Sequence, residues 1–173
     1  DGSTINETDS VAFNILVEDE QSQPTDVALV WTLDGLPYTT IGATSSGTAE
    51  FTEQGLSVGN HTLSVLGTDP DGLTDSDQVS FTINGAPSAP VVEIVPTTAF
   101  TTDDLGVNIV TPSIDPEGQN VTNSIQWYRN GVLEVGATNT TLAASNTAKG
   151  ENWSVEVTPS DGLMNGTAGT ASI

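Results

Sequence analysis

Trp31-Thr32-Leu33-Asp34-Gly35 recurs 96 residues later as Trp127-Tyr128-Arg129-Asn130-Gly131. In each copy a tryptophan sits on an alternating segment that runs into Asp-Gly or Asn-Gly. Such pairs accept positive φ at both positions and close tight hairpins. The flanking sequence repeats in the same order. Thr8-Asp9-Ser10-Val11-Ala12-Phe13-Asn14-Ile15 matches Thr102-Asp103-Asp104-Leu105-Gly106-Val107-Asn108-Ile109. Leu63-Ser64-Val65 matches Trp153-Ser154-Val155, Asp71-Gly72-Leu73 matches Asp161-Gly162-Leu163, and Ser80-Phe81-Thr82-Ile83 matches Thr170-Ala171-Ser172-Ile173. Conserved order with a drifting offset marks two copies of one module of about 90 residues.

The boundary between copies is Asn84-Gly85-Ala86-Pro87-Ser88-Ala89-Pro90, which is small, uncharged and rich in proline. Proline fixes φ and removes a donor, so this stretch is expected to be extended and stiff. The domains are therefore expected at 1–85 and 86–173.

Within each copy the apolar period is two. Val27, Leu29, Trp31 and Leu33 share one side, as do Val79, Phe81 and Ile83. Leu63 and Val65 alternate with Thr62 and Ser64. In the second copy Leu105, Val107 and Ile109 share a side, and so do Trp153, Val155 and Val157. Each apolar face needs a second sheet to cover it. Val, Ile and Thr make up 52 of 173 residues, a β-branched surplus suited to pleated strands, and no segment shows a helical period. Many short strands separated by turns predict an all-β chain of two tandem immunoglobulin-like sandwiches.

Charge narrows the function. The chain carries 23 Asp and Glu against 2 Lys and Arg, a net charge of -21. Phosphate backbones are bound by Lys and Arg, so nucleic acid is excluded as a partner. Anionic membrane surfaces repel such a chain, and no apolar run is long enough to insert. The acidity is uneven: residues 1–85 hold 14 of the acids and neither cation. With no cysteine there are no disulfides, thiolate zinc sites or cysteine nucleophiles. A single histidine, His61, makes a Ser-His-Asp triad improbable, and it reads as a surface or edge residue.

These stretches resemble tandem immunoglobulin-like modules of the PKD-type and cadherin-like repeats found in large prokaryotic surface proteins. The tryptophan-turn segments carry the likeness. So do Gly59-Asn60-His61-Thr62-Leu63-Ser64-Val65 with Thr68-Asp69-Pro70-Asp71-Gly72, and Gly150-Glu151-Asn152-Trp153-Ser154-Val155 with Thr158-Pro159-Ser160-Asp161-Gly162. The resemblance implies strands B, C, E, F and G near 10–18, 27–33, 48–52, 61–67 and 77–83. In the second copy it implies A to G near 91–95, 105–111, 121–129, 139–144, 152–158 and 167–173, with no D strand. Nothing before residue 8 matches Val91-Val92-Glu93-Ile94-Val95, so the first strand of copy one is expected to be missing or donated in trans.

The resemblance also places the B–C and F–G loops at one pole. Asp19, Asp69, Asp71 and Asp75 would gather there in copy one, and Asp115, Glu117 and Asp161 in copy two, at the pole facing the linker. Carboxylate oxygens in flexible loops suit Ca²⁺. The alternative is a set of solvated turns, because Asp-Pro-Asp-Gly is ordinary turn chemistry and the spacing does not match an EF-hand. No organic cofactor is implied. Two catalytic carboxylates need a cleft that so small a sandwich hardly offers, so the chain reads as non-enzymatic.

Asn6, Asn60, Asn120, Asn139, Asn152 and Asn165 each begin an Asn-x-Ser/Thr sequon and are candidates for glycosylation. Asn152 should face away from the core because Trp153 faces in. Together these features predict an extracellular or cell-surface structural module. It would space or polymerise through end-to-end or strand-edge contacts with copies of itself or with neighbouring repeats. An adhesin or carbohydrate-binding module using Ca²⁺ at its acidic pole, with glycans as partners, is the alternative.

Overall fold

The computed structural model describes residues 2–173 and divides into two compact units, Asp1–Asn84 and Gly85–Ile173. The first contains β1 (Ser3–Asn6), β2 (Val11–Leu16), β3 (Ala28–Leu33), β4 (Leu36–Pro37), β5 (Thr48–Glu53), β6 (Gly59–Thr68) and β7 (Thr74–Asn84). The second contains β8 (Val91–Val95), β9 (Leu105–Thr111), β10 (Thr122–Arg129), β11 (Val132–Leu133), β12 (Thr141–Leu142), β13 (Trp153–Ser160) and β14 (Gly169–Ser172). The only helical elements among the described residues are three-residue 3₁₀ turns at Pro24–Asp26 and Ala144–Asn146. The all-β class and the sandwich read from the alternation are both present.

In the first unit a five-stranded sheet, ordered β1-β7-β6-β3-β4, faces the pair β2-β5. Its core is Trp31, Ala49, Leu63, Val65, Phe81 and Ile83, with Phe13, Ile15 and Phe51 packed against it. The Phe51 ring meets Trp31 edge-on at 5.1 Å between centroids. In the second unit the sheet β11-β10-β13-β14 faces β12-β9-β8. Trp127, Trp153, Val155, Val157, Ile94, Leu105 and Leu142 fill the space between. The two repeated tryptophans are anchored alike: Trp31 Nε1 donates to the Ile41 carbonyl at 2.8 Å, and Trp127 Nε1 to that of Asn139 at 2.9 Å. A buried indole needs that partner.

The repeated turns take the conformation their residues allow. Asp34 and Gly35 have φ of 53° and 79°, Asn130 and Gly131 53° and 77°. The positive pair matches strand twist and closes β3–β4 and β10–β11. The turn side chains then reach across. Asp34 Oδ1 accepts from Thr62 N at 2.8 Å, and Asn130 Oδ1 accepts from Asn152 N at 2.9 Å.

One expectation is corrected. The first unit has its own N-terminal strand: β1 runs parallel to β7, from Ser3 opposite Phe81 to Asn6 opposite Asn84. Its sequence, Ser-Thr-Ile-Asn, gives it one apolar residue, Ile5, which packs against the core. A four-residue strand with one inward hydrophobe leaves no alternation to read. It also lies on a different strand from its counterpart. β8 pairs antiparallel with β9 in the second unit, whereas among the described residues no strand pairs the other edge of β2. The expected strand at 139–144 is also shorter, because the 3₁₀ turn at Ala144–Asn146 ends it after Leu142.

The proline-containing stretch is bound into the second unit. Ser88 N donates to the Ile114 carbonyl at 2.9 Å, and Ile114 N returns the bond to Ser88 Oγ at 2.9 Å. Ser113 Oγ donates to the Ser88 carbonyl. Two glycines permit the close approach: a Cβ on Gly166 would stand 1.9 Å from the Pro87 carbonyl oxygen, and one on Gly169 2.1 Å from that of Pro90.

Candidate functional site

In the first unit the sandwich gapes at one end. An open groove of about 640 Å³ lies there, lined by Ile15, Val27, Leu29 and Val65 together with Glu18, Asp19, Asp69, Asp75 and Asp77. Register explains its character. Val79 stands opposite Leu63, Asp77 opposite Val65 and Asp75 opposite Gly67, so the two carboxylates continue the core-facing side of β7. Two charges on that side keep this end of the sandwich wet. Inward charge on a strand also opposes pairing with other chains.

Of the acids named from sequence in this unit, Asp19, Asp69 and Asp75 line the groove and Asp71 does not. Each of the three accepts a hydrogen bond from a backbone amide close by in sequence. Asp19 Oδ1 accepts from the amides of Gln21 and Ser22, which hold its carboxyl below the usual range. Asp69 Oδ1 accepts from Leu73 N at 2.7 Å, and Asp75 Oδ1 from Ser76 N at 2.8 Å. Among the described residues no three Asp, Glu or His side chains gather to hold a metal.

In the second unit Asp115 and Glu117 come together and Asp161 does different work. Asp115 is 4% exposed, and the turn closes around it: its Oδ1 accepts from Glu117 N and Gln119 N, both at 2.9 Å. Glu117 Oε2 accepts from Gly85 N at 2.9 Å. Asp161 Oδ1 accepts from Leu163 N and Met164 N at 2.7 and 2.6 Å, capping the turn after β13. Gln119 was not singled out from sequence, although its two-residue step beyond Glu117 continues the same spacing.

His61 is a second correction. It is 7% exposed rather than a surface residue. Its Nδ1 lies 2.8 Å from Asp34 Oδ2, and its Nε2 lies 2.6 Å from the Ser57 carbonyl. Burial lowers the imidazole pKa, but the bonds to Ser57 and Asp34 outweigh it and the net shift is upward. Asp34 is held down by the Thr62 amide and then by His61. The signal was in the sequence, since His61 is in phase with Leu63 and Val65. This histidine staples a hairpin turn to the neighbouring strand.

The sequon asparagines are placed as follows. Asn60, Asn120, Asn139, Asn152 and Asn165 are exposed, and Asn6 is half-buried on β1. Asn152 does alternate outward beside buried Trp153. The aromatics form no platform for sugar stacking. Phe100 is the one exposed ring among the described residues. Tyr38 packs near Phe51 with its hydroxyl pKa pushed up to about 12 by burial and by Glu53, and Tyr128 donates to Glu156.

No protein-family model and no curated protein matches the chain. Solved structures do. A structure of titin domains covers 99% of this chain at 12% identity and a TM-score of 0.57, and the chain spans 61% of it. The N-terminal eight immunoglobulin domains of the Down Syndrome Cell Adhesion Molecule give 13% identity and a TM-score of 0.52 over 99% of this chain and 26% of theirs. A Ca²⁺-stabilized adhesin of an Antarctic bacterium gives 18% identity and 0.49 over 98% and 45%. Identity this low speaks to architecture alone. The fold of this chain is the immunoglobulin-like β-sandwich.

Proposed function

We propose that the chain is a non-enzymatic structural module of an extracellular surface protein, acting as a spacer between neighbouring repeats. The observation that carries this reading is the repetition itself. Both units use a core tryptophan with the same indole-to-carbonyl anchor and the same positive-φ hairpin turn. Duplicated architecture without a gathered set of acid, base or nucleophile favours a mechanical role over a chemical one. The strong net acidity favours solubility outside the cell. The exposed sequon asparagines suit a glycosylated surface, and the unpaired edge of β2 is the place for strand-edge contact with another copy.

Protease shaving of intact source cells tests the location. Peptides from this segment should be released before lysis; their appearance only after lysis would refute an extracellular module. Sedimentation of the purified chain across concentration tests the edge contact. Reversible association should disappear when a proline replaces Asn14 on β2, and association unchanged by that variant places the contact elsewhere.

A further inference from the structure

The turn after β9 contains oxygens for which the protein supplies no donor. Asp115 Oδ2, Glu117 Oε1 and Gln119 Oε1 are all buried and accept no hydrogen bond. Asp115 itself is 4% exposed. Buried polar atoms are ordinarily paired, and a buried carboxylate oxygen without a partner is among the costliest exceptions. Here two such oxygens and an amide oxygen occur within five residues. The protein's cations do not relieve them. Arg129 is engaged by Glu134 at 3.1 Å and Glu151 at 3.6 Å, and neither it nor Lys149 forms an ion pair with Asp115 or Glu117 among the described residues.

The turn is organised around the first of these groups. Asp115 Oδ1 takes the amides of Glu117 and Gln119, and the Gly118 amide donates to the Asp115 carbonyl at 3.2 Å. Those bonds use one oxygen of Asp115 to fix the backbone of the next two donors and leave Oδ2 free. Glu117 is divided in the same way, with Oε2 on the Gly85 amide and Oε1 unpartnered. We propose that Asp115 Oδ2, Glu117 Oε1 and Gln119 Oε1 bind one divalent cation of the Ca²⁺ type.

The donor set decides the chemistry. It is all oxygen, two carboxylates and an amide, with neither nitrogen nor sulfur. That selects a hard cation over zinc or copper. Ca²⁺ accepts a mixture of carboxylate, amide and water oxygens in irregular geometry, whereas Mg²⁺ demands a near-ideal octahedron. Two acids and an amide do not make a trio of acidic ligands, so the absence of such a trio among the described residues is compatible with this site. The inference does not rest on an extracellular location. It assigns a ligand to the acidic turn of the second unit.

Titration calorimetry of the 173-residue chain, freed of metal by chelator and titrated with CaCl₂, tests it. One site per chain is expected, with Mg²⁺ binding at least tenfold more weakly. Asp115→Asn and Glu117→Gln should each weaken Ca²⁺ binding by tenfold or more. Both variants keep an oxygen to accept the existing amide bonds. Asp71→Asn, in the first unit, should change nothing. Unfolding supplies the second readout. At a Ca²⁺ concentration 100 times the dissociation constant, the unfolding constant of the wild type should fall on the order of 100-fold. In chelator the order should reverse, with Glu117→Gln at least as stable as the wild type because an unpaired buried charge has gone. No heat and no stabilisation at millimolar Ca²⁺ would overturn the proposal. So would binding that survives both variants or vanishes with Asp71→Asn.

Discussion

Replacing Gly166 with alanine tests how firmly the proline-containing stretch belongs to the second unit. The added Cβ would sit 1.9 Å from the Pro87 carbonyl oxygen, and ordinary contact begins at 3.4 Å, so the two backbones must part by roughly 1.5 Å. Neither partner is the end of a flexible side chain. Forcing such an overlap costs about 1–3 kcal/mol. Separation also strains the Gly166 amide bond to Pro159 and the Ser88–Ile114 pair, each 2.9 Å long, and a weakened hydrogen bond adds about 1 kcal/mol. Alanine recovers about 0.4–1 kcal/mol by restricting the unfolded chain. The net expectation is a loss of about 1–4 kcal/mol. For a unit of this size that lowers Tm by roughly 4–30 °C. Calorimetry of the full chain reads the loss, and amide exchange at Ser88 should accelerate with it. Gly42→Ala is the control, since nothing lies within 4 Å of its Cβ and its φ is not positive. It should leave stability unchanged or slightly raised. A Gly166→Ala chain within about 0.5 kcal/mol of wild type would show that the stretch is draped over the unit rather than built into it.

Three further outcomes follow from the geometry. Trp31→Ala removes a side chain that is 2% exposed along with its bond to Ile41, and should cost about 3–5 kcal/mol in urea unfolding. His61→Gln should matter most in mild acid. The folded pKa lies above the ordinary histidine value, so the charged pair stabilises fully below about pH 6.5 and loses its effect as pH rises through the folded value. Asp34, shifted down, contributes above about pH 4 and loses its contribution as pH falls through its own folded value. The penalty of His61→Gln should therefore be larger at pH 5.5 than at pH 8, by about 1 kcal/mol after allowing for the 46% exposure of Asp34. An equal penalty at both values would refute the charged pair. Asp77→Val places an apolar side chain opposite Val65 and should raise Tm while promoting self-association in sedimentation. A monomer at every concentration would refute the protective role of that charge.

Much of the architecture was legible because its signals are local. Trp31 and Trp127 flag the central strands, and Asp34-Gly35 and Asn130-Gly131 specify their turns by the φ they tolerate. The two-residue phase of β6 extends to His61 and that of β7 to Asp77 and Asp75, so the buried imidazole and the inward carboxylates followed the alternation too. The edge strands were not legible. β4 and β11 are two residues long and β1 carries one inward hydrophobe, so their pairing depends on strands distant in sequence. The acidic turns were harder still. Asp69 and Asp115 both begin Asp-Pro-acid-Gly, yet Asp69 is only half-buried and Asp115 fully buried. Burial depends on what packs over the turn, and here Gly85 donates to Glu117 from a segment that looked like a linker.

The parallel pairing of β1 with β7 has a mechanical consequence. These strands are the first and last of their unit and point the same way, joined from Ser3–Phe81 to Asn6–Asn84 and flanked by bonds from Gly2 to Ser80 and from Glu7 to Asn84. Pulling the two ends of the unit apart slides one strand along the other. The ladder bonds then carry the load together, in shear, instead of opening one after another like a zip. Four residues that were nearly silent in the sequence therefore set the force at which this unit gives way.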